Sequence, residues 1–188
     1  MIDFDVYKFF AAREAGQVKR FHTFPTLTQQ TVGEHTFNML CMLFQIYDEV
    51  KKETPSINLI KAVMYHDFGE RWVGDVPATA RWHNEEFKSV VDGYEEKLRH
   101  KMGFYVELTE EETRVLKFLD SLDCLLWAVH EENVGNKYAS EIQKRCLVAL
   151  DQFSEYRDFV TLLLGFSVSA GRTLDELVLE KEKNNGNT

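Results

Sequence analysis

Three side chains that can bind a metal ion or move a proton, His66, Asp67 and Glu70, occur within five positions of an otherwise apolar segment. Residues 57–64, which precede them, have the apolar spacing of a buried helix. Burying a histidine or an aspartate is costly unless another group satisfies it. A metal ion is the simplest such group, so the segment predicts a metal site whose other ligands come from elsewhere in the chain.

Two further polar side chains interrupt apolar helical patterns. His35 lies in the first turn of one predicted helix, and Asp120 stands in the long apolar stripe of another. With His66 and Asp67 they make a mixed nitrogen and oxygen donor set, which suits Mn²⁺, Co²⁺, Ni²⁺, Fe²⁺ or Zn²⁺ and leaves coordination positions open for catalysis. Taken singly, His35 is more typical of a hydrogen-bonded core histidine than of a ligand, and Asp120 is more typical of an exposed residue.

The helices that must carry these side chains are predicted from apolar periodicity. A Thr-x-x-Glu capping box at Thr31 and Glu34 starts a helix over 35–52. Residues 17–31 follow neither helical nor strand spacing and predict a loop, whose length is typical of a functional segment. Strand patterns are nearly absent, so we expect an all-α protein of six or seven helices. The other helices are predicted over 7–15, 57–70, 84–101, 109–132, from the Gly135–Asn136 break to 153, and over 156–169, with another capped start at Thr79.

The length and the net charge of the chain indicate one globular domain that does not bind a nucleic-acid duplex. With 188 residues the chain can bury a core, and no linker pattern divides it. We therefore expect one domain over 1–180 and a frayed tail over 181–188. The formal net charge of −9 argues against a nucleic-acid duplex as a partner.

Cysteine usage and the chain's hydropathy predict a cytoplasmic protein. Cys41, Cys124 and Cys146 lie in apolar helical patterns without a CxxC spacing, as reduced core thiols do. No apolar run is long enough to span a membrane, and residues 1–5 lack the features of a signal peptide.

The ordered set His35, His66, Asp67 and Asp120 resembles the H…HD…D signature of the HD-domain phosphohydrolases, whose helical bundle holds one metal ion, sometimes two, through these side chains. The runs 31–35, 66–70 and 74–77 resemble the bacterial 5'-deoxynucleotidases and are similar to the phage dATP triphosphohydrolases. The resemblance covers most of residues 17–126. It implies an HD-domain bundle, a divalent cofactor (Mn, Co, Zn, Ni, Fe or Mg), and a homodimer or larger homo-oligomer in a bacterial cell or phage-infected host.

The resemblance also implies roles for the residues that meet the nucleotide. Arg20 would hold phosphate. Phe21 would lie against the sugar and reject a 2'-hydroxyl, and because the family usually has tryptophan there, the smaller ring would loosen that preference. Pro77 and Arg81 would lie at the mouth of the pocket, where Arg81 either contacts phosphate or is a solvated helix residue.

Two acids would move protons in the reaction that the resemblance implies. Glu70 would position or deprotonate the attacking water, since it follows His66 by one helical turn and faces the same side. Asp75 would protonate the leaving oxygen, although a turn-forming aspartate after Gly74 fits the sequence equally well.

Metal-assisted hydrolysis of 2'-deoxyribonucleotides is the function that follows. The loop over 20–26 and the short chain favour a dNTP triphosphohydrolase of the dATP type, which releases deoxynucleoside and triphosphate. The near alternative is a 5'-deoxynucleotidase that removes phosphate from dNMPs. A non-catalytic nucleotide-binding HD module is more distant, because all four ligands and Glu70 are present. A di-iron oxygenase would need extra bridging ligands, for which the sequence offers no clear candidates.

Overall fold

The computed structural model describes residues 5–77, 80, 81 and 84–168. Across these ranges the chain is helical and holds no β-strand apart from an isolated bridge between Lys19 and Thr31. The predicted all-α fold is therefore confirmed. The helices are α1 (Val6–Ala15), α2 (Val32–Ile46, continued by the π-helical turn Tyr47–Lys51), α3 (Ile57–Tyr65), α4 (Glu70–Val73), α5 (Glu85–Lys101), α6 (Glu110–Asn133), α7 (Ala139–Leu150) and α8 (Arg157–Val168), with a 3-10 turn (Ser154–Tyr156) before α8.

Two compact units make up the chain, residues 1–123 and 124–188. Every residue to which the sequence assigns a site role belongs to the first unit. In the second unit, Cys146, Leu150, Phe153 and Tyr156 are buried. The single domain predicted over 1–180 stays a prediction, while the helix start at Thr79 and the tail over 181–188 lie outside the described residues. None of the described helices has the length and apolar character needed to cross a membrane.

Several helices begin at a side chain that satisfies a free backbone donor. At α2 the predicted capping box is present, because the Glu34 backbone donates to Thr31 Oγ1 at 3.2 Å and the Thr31 backbone donates to Glu34 Oε2 at 2.7 Å. Thr109 and Glu112 make the same reciprocal pair at the start of α6. These caps explain why the predicted helix starts agree with the structure to within a few residues.

The helix predicted over 57–70 is wrong in its second half, because α3 ends at Tyr65 and residues 66–69 form a turn. The bonds there span three residues, with the Phe68 backbone donating to Tyr65 O at 3.1 Å and the Glu70 backbone to Asp67 O at 3.0 Å. Gly69 permits the turn's close approach to α5, since a Cβ at this position would lie 2.7 Å from Glu95 Cγ. The turn therefore sets the directions of the chemical side chains.

Apolar periodicity over 35–52 also predicts a buried stripe of Phe37, Leu40, Cys41, Phe44 and Tyr47, and of these five residues the structure buries only Tyr47. Phe37 is 67% exposed, and Cys41 is exposed as well, so the prediction of a core thiol is wrong for Cys41. Cys146 is buried as predicted. The helix is rotated so that it buries its histidine instead, and its buried residues are Val32, His35, Met39, Met42, Leu43 and Ile46.

An aromatic cluster supports the turn at residues 66–69 from within the first unit. The Tyr65 ring stacks on that of Phe104 with centroids 4.1 Å apart, and the Phe68 ring meets Phe104 edge-on at 4.5 Å. Arg99 Nη1 donates to the His66 carbonyl oxygen at 2.6 Å. The backbone that carries His66 and Asp67 is thus fixed by packing on one side and by a charge-assisted hydrogen bond on the other.

Candidate metal centre and nucleotide site

His35 and His66 point the same ring nitrogen at each other. His35 is fully buried, and its Nδ1 donates to Asp123 Oδ2 at 2.6 Å. His66 Nδ1 lies 2.9 Å from Val63 O, and because a carbonyl only accepts, this nitrogen carries a hydrogen. Both Nε2 atoms are thereby left to face the same space, and they lie 3.2 Å apart. Two imidazoles oriented in this way offer two of the donors that a metal site needs.

Two carboxylates complete the cluster. Asp67 Oδ2 lies 3.1 Å from His66 Nε2 and 3.6 Å from His35 Nε2, and Asp120 Oδ1 lies 3.3 Å from His35 Nε2. His35, His66 and Asp120 each offer an atom within 4.8 Å of the others, while Asp67 joins through the two histidines. The Asp120 side chain is 51% exposed, so one side of the cluster is open to a ligand.

The separations between these donors fit a divalent first-row ion. Donors about 2.0–2.2 Å from such an ion are about 3–3.6 Å from their neighbours in tetrahedral or octahedral geometry. The distances from His35 Nε2 to the other three donors and from His66 Nε2 to Asp67, which are 3.1–3.6 Å, agree with this range. The residues therefore fit the metal that the sequence predicts, and they would hold it through His35, His66, Asp67 and Asp120.

In the metal-free protein a proton on His66 offsets the charge of the carboxylates. Burial lowers the pKa of His66, but the charge and hydrogen bond of Asp67 together with the charge of Asp120 outweigh burial and raise it to about 9. Burial would raise the pKa of Asp67, yet His66 holds it well below the usual range. The cluster thus binds positive charge at neutral pH, either as protons or as a metal ion.

Glu70 is a buried carboxyl beside this cluster. It is 5% exposed, and its Oε2 has no hydrogen-bond partner within the part of the chain that the structure describes. Burial, followed by the charges of Asp67 and Asp75, raises the pKa of Glu70 to about 10. A divalent ion at the cluster would offset the charge of Asp67, which lowers the Glu70 pKa and fits this carboxyl for exchanging protons.

The loop before α2 brings an arginine and an aromatic ring to the same place. Arg20 is 8% exposed, and its guanidinium lies 3.7 Å from Asp120 Oδ1. Phe21 has a φ of 55°, which is unusual for a residue with a side chain and costs about 1 kcal/mol or more. Its backbone donates to Asp75 Oδ2 at 2.7 Å, so Asp75 anchors the strained residue. The predicted Arg20–Phe21 pair and Asp75 therefore adjoin one another.

Arg81 is held by the acids of α5. Its guanidinium donates to Asp92 Oδ1 and to Glu95 Oε1, each at 3.0 Å. The Pro77 carbonyl accepts from the backbones of Ala80 and Arg81 at 2.9 and 3.3 Å. Arg81 would have to leave two carboxylates to bind phosphate, so these ion pairs favour a role on α5 over the phosphate contact that the resemblance implies.

Asp123 and Gln30 are the two residues that sequence analysis missed. Asp123 is 3% exposed and receives hydrogen bonds from both His35 and Gln30. It follows Asp120 by three residues on α6, so both lie on one face. A second carboxylate in the apolar stripe of α6 was the sequence signal that could have identified Asp123. Gln30 offered none, because it lies in a loop without periodicity.

The two raised pKa values predict how the stability of the metal-free protein depends on pH. The pKa of His66 rises from 6.5 to about 9 and that of Glu70 from 4.5 to about 10, so the folded state binds both protons more tightly than the unfolded chain. Their stabilisation is complete below the unfolded values and is lost as pH rises through the folded ones. We expect the unfolding temperature in chelator to fall from pH 7 to 10, with each group contributing at most about 1.4 kcal/mol per pH unit.

The variant Glu70→Gln separates the two groups. Its unfolding temperature should fall less steeply over the same pH range, because the variant keeps the titration of His66 and loses that of Glu70. Parallel curves for the two proteins would contradict the raised pKa of Glu70.

Comparison with known proteins gives a family match and several structural matches. A family model described as 5'-deoxynucleotidase YfbR-like matches residues 8–109, a range that holds His35, His66, Asp67, Glu70 and Asp75 and ends before Asp120. No curated protein matches the chain significantly.

The structural matches cover nearly the whole chain at low identity. An HD-domain phosphohydrolase from Listeria innocua has a TM-score of 0.72 and 16% identity, with 95% of this chain and 98% of that one covered. A conserved protein from Pyrococcus furiosus has a TM-score of 0.69 and 20% identity, with coverages of 84% and 97%. The HD phosphohydrolase DatZ of cyanophage S-2L, bound to dA and one catalytic Zn²⁺ ion, has a TM-score of 0.67 and 16% identity, with coverages of 90% and 99%. At these identities the matches show a common fold.

Proposed function

The chain belongs to the YfbR-like 5'-deoxynucleotidase family, and from that membership we propose that it removes the phosphate from 2'-deoxyribonucleoside 5'-monophosphates. Membership confirms the resemblance to HD-domain phosphohydrolases and identifies a metal-dependent hydrolase. The observation that carries the proposal is the convergence of two histidine Nε2 atoms and two carboxylates, with one side open, next to Glu70 and Arg20.

The chemistry is a hydrolysis in which the phosphorus–oxygen bond to the sugar breaks. A bound divalent ion supplies Lewis acidity to phosphate and water. Arg20 binds the phosphate oxygens and offsets their charge. Glu70 takes the proton of the attacking water, and Asp75 gives a proton to the leaving 5'-oxygen, so that orthophosphate and deoxynucleoside result.

Sugar selection is assigned to Phe21, whose strained backbone is anchored by Asp75. Replacing it with alanine should lower the preference for dNMP over NMP, measured as the ratio of kcat/KM values, by about tenfold, because the ring no longer excludes a 2'-hydroxyl. Phe21→Trp should raise that ratio. The control Phe10→Ala removes an exposed ring of α1 and should leave it unchanged. An unaltered ratio in Phe21→Ala would contradict the assignment.

The choice between monophosphate and triphosphate follows from the family and from the available positive charge. The sequence alone favours the dNTP reading, whereas the family match favours the dNMP reading. A triphosphate carries more negative charge than a monophosphate and needs more positive charge in the site. Arg81 does not supply it, because its guanidinium is paired with Asp92 and Glu95. Similarity to DatZ keeps a dATP-type triphosphohydrolase as the second candidate.

The experiment that tests the proposal incubates the Mn²⁺- or Co²⁺-loaded protein with each dNMP and each dNTP and identifies the phosphorus product. We expect orthophosphate from dNMPs. Triphosphate from a dNTP would establish the second candidate, and binding of nucleotides without turnover would leave the non-catalytic module.

Assembly and location are proposals from the resemblance. We expect a homodimer or larger homo-oligomer in the cytoplasm of a bacterial cell or phage-infected host. Exposed aromatic side chains such as Phe37, at 67%, support association. A mass of 22.0 kDa in light scattering, that of one chain, would contradict it.

A further inference from the structure

Asp123 accepts hydrogen bonds from His35, one of the candidate metal ligands, and from Gln30, which contacts Arg20. Its Oδ2 lies 2.6 Å from His35 Nδ1 and 2.8 Å from Gln30 Nε2. Arg20 Nη1 approaches the same oxygen at 3.6 Å. With 3% exposure, this carboxylate has little contact with water, so its polar environment is set by His35, Gln30 and Arg20.

Gln30 links the carboxylate to Arg20. Its Oε1 accepts from Arg20 Nη1 at 3.3 Å while its Nε2 donates to Asp123. Because arginine only donates and a carboxylate only accepts, the orientation of the Gln30 amide follows from its neighbours. The Arg20 backbone also donates to Gln30 O at 2.9 Å, and Gln29 Nε2 donates to Arg20 O at 2.8 Å. Arg20 is thus held at both its backbone and its head group.

We propose that Asp123 is a positioning residue that directs His35 Nε2 towards the metal and, through Gln30, holds Arg20 in place for the substrate phosphate. A carboxylate on the distal nitrogen of a metal-binding histidine fixes the ring's tautomer and orientation and increases its basicity. One buried side chain then sets both metal affinity and phosphate capture. The inference rests on the proposed function only for the phosphate half, since metal binding is measured without substrate.

The decisive variant is Asp123→Asn, which preserves the size of the side chain. The asparagine oxygen, in the place of Oδ2, can still accept from both His35 Nδ1 and Gln30 Nε2, but without the full negative charge. The substitution also removes the negative charge that the Arg20 guanidinium approaches at 3.6 Å, so the head group of Arg20 is held less firmly. We expect the affinity for Mn²⁺ or Co²⁺, measured by calorimetry on the full chain, to fall about 10- to 100-fold, and KM for dNMP to rise.

Gln30→Met separates the two halves of the proposal. It keeps the bond between His35 and Asp123 and removes one hydrogen-bond acceptor of the Arg20 guanidinium, so metal affinity should match the wild type while KM rises about 5- to 10-fold and kcat changes little. A residue important only for folding would not produce this division. The matched control is Asp151→Asn, which removes an exposed aspartate paired with Arg157 and should change neither quantity.

Each outcome decides one half. Wild-type metal affinity in Asp123→Asn overturns the positioning of His35, and wild-type KM in Gln30→Met overturns the link to Arg20. If Asp123→Asn does not fold, the ¹⁵N spectrum of His35 in the metal-loaded wild type decides instead. A proton on Nδ1 supports the proposal, and a bare Nδ1 overturns it. Absence of any nucleotide turnover in the wild type refutes the proposed function while leaving the metal measurements intact.

Discussion

Replacing Glu70 with glutamine is expected to leave metal binding intact and to lower kcat by about 10²- to 10⁴-fold, the usual contribution of a general base. Glu70 is buried, has a pKa raised to about 10 in the metal-free protein, and lies beside the donor cluster without belonging to it. Glutamine preserves the shape of the side chain and cannot take a proton. Steady-state kinetics on the metal-loaded variant, with calorimetry for its metal content, measure the two effects separately.

Glu131→Gln is the matched control for this substitution. Glu131 is also fully buried, and it accepts from Asn136 Nδ2 at 2.6 Å within the second unit. We expect its kcat to stay within about twofold of the wild type, because the same chemical change there touches no reacting group. Unchanged turnover in Glu70→Gln would remove Glu70 from the mechanism.

Removal of a metal ligand is expected to have the second large effect. His66→Ala and Asp120→Ala each delete one of the four donors, so we expect metal affinity to fall by more than about 100-fold, since outer residues alone account for 10- to 100-fold. Activity should fall with it at a fixed metal concentration. Inductively coupled plasma analysis after dialysis, together with phosphate release, measures both quantities.

Asp48→Ala provides the control for the ligand variants. Asp48 is an exposed aspartate in the π-helical turn that continues α2. The variant should bind metal and hydrolyse substrate as the wild type does. Full activity of the Asp120→Ala protein after its metal has been stripped would show that Asp120 is not a ligand.

Sequence patterns predicted most of the helices and singled out the four candidate donors, because each leaves a local signal. Capping boxes mark the starts of α2 and α6, and polar residues in apolar stripes mark His35, His66, Asp67 and Asp120. Burial of an ionisable group without a partner is costly, so such residues point to a site wherever the chain places them.

Three features depended on packing that no local pattern records. The end of α3 at Tyr65 reflects the approach of Glu95 to Gly69, and the rotation of α2 reflects the burial of His35 at the expense of Phe37. The link from Arg20 to Asp123 joins a loop to α6 across about a hundred residues of sequence through Gln30. Tertiary contacts of this kind override propensity.

The central claim, that these donors hold a divalent ion which the chain needs for hydrolysing deoxynucleoside monophosphates, is tested most directly by metal add-back. Chelator-stripped protein is mixed with a dNMP, and orthophosphate is followed while Mn²⁺ or Co²⁺ is titrated in. We predict that no orthophosphate is released before metal is added, and that the rate of release then rises with metal concentration and saturates along one binding isotherm. Equal release from the stripped protein, or no orthophosphate at saturating metal, would contradict the claim.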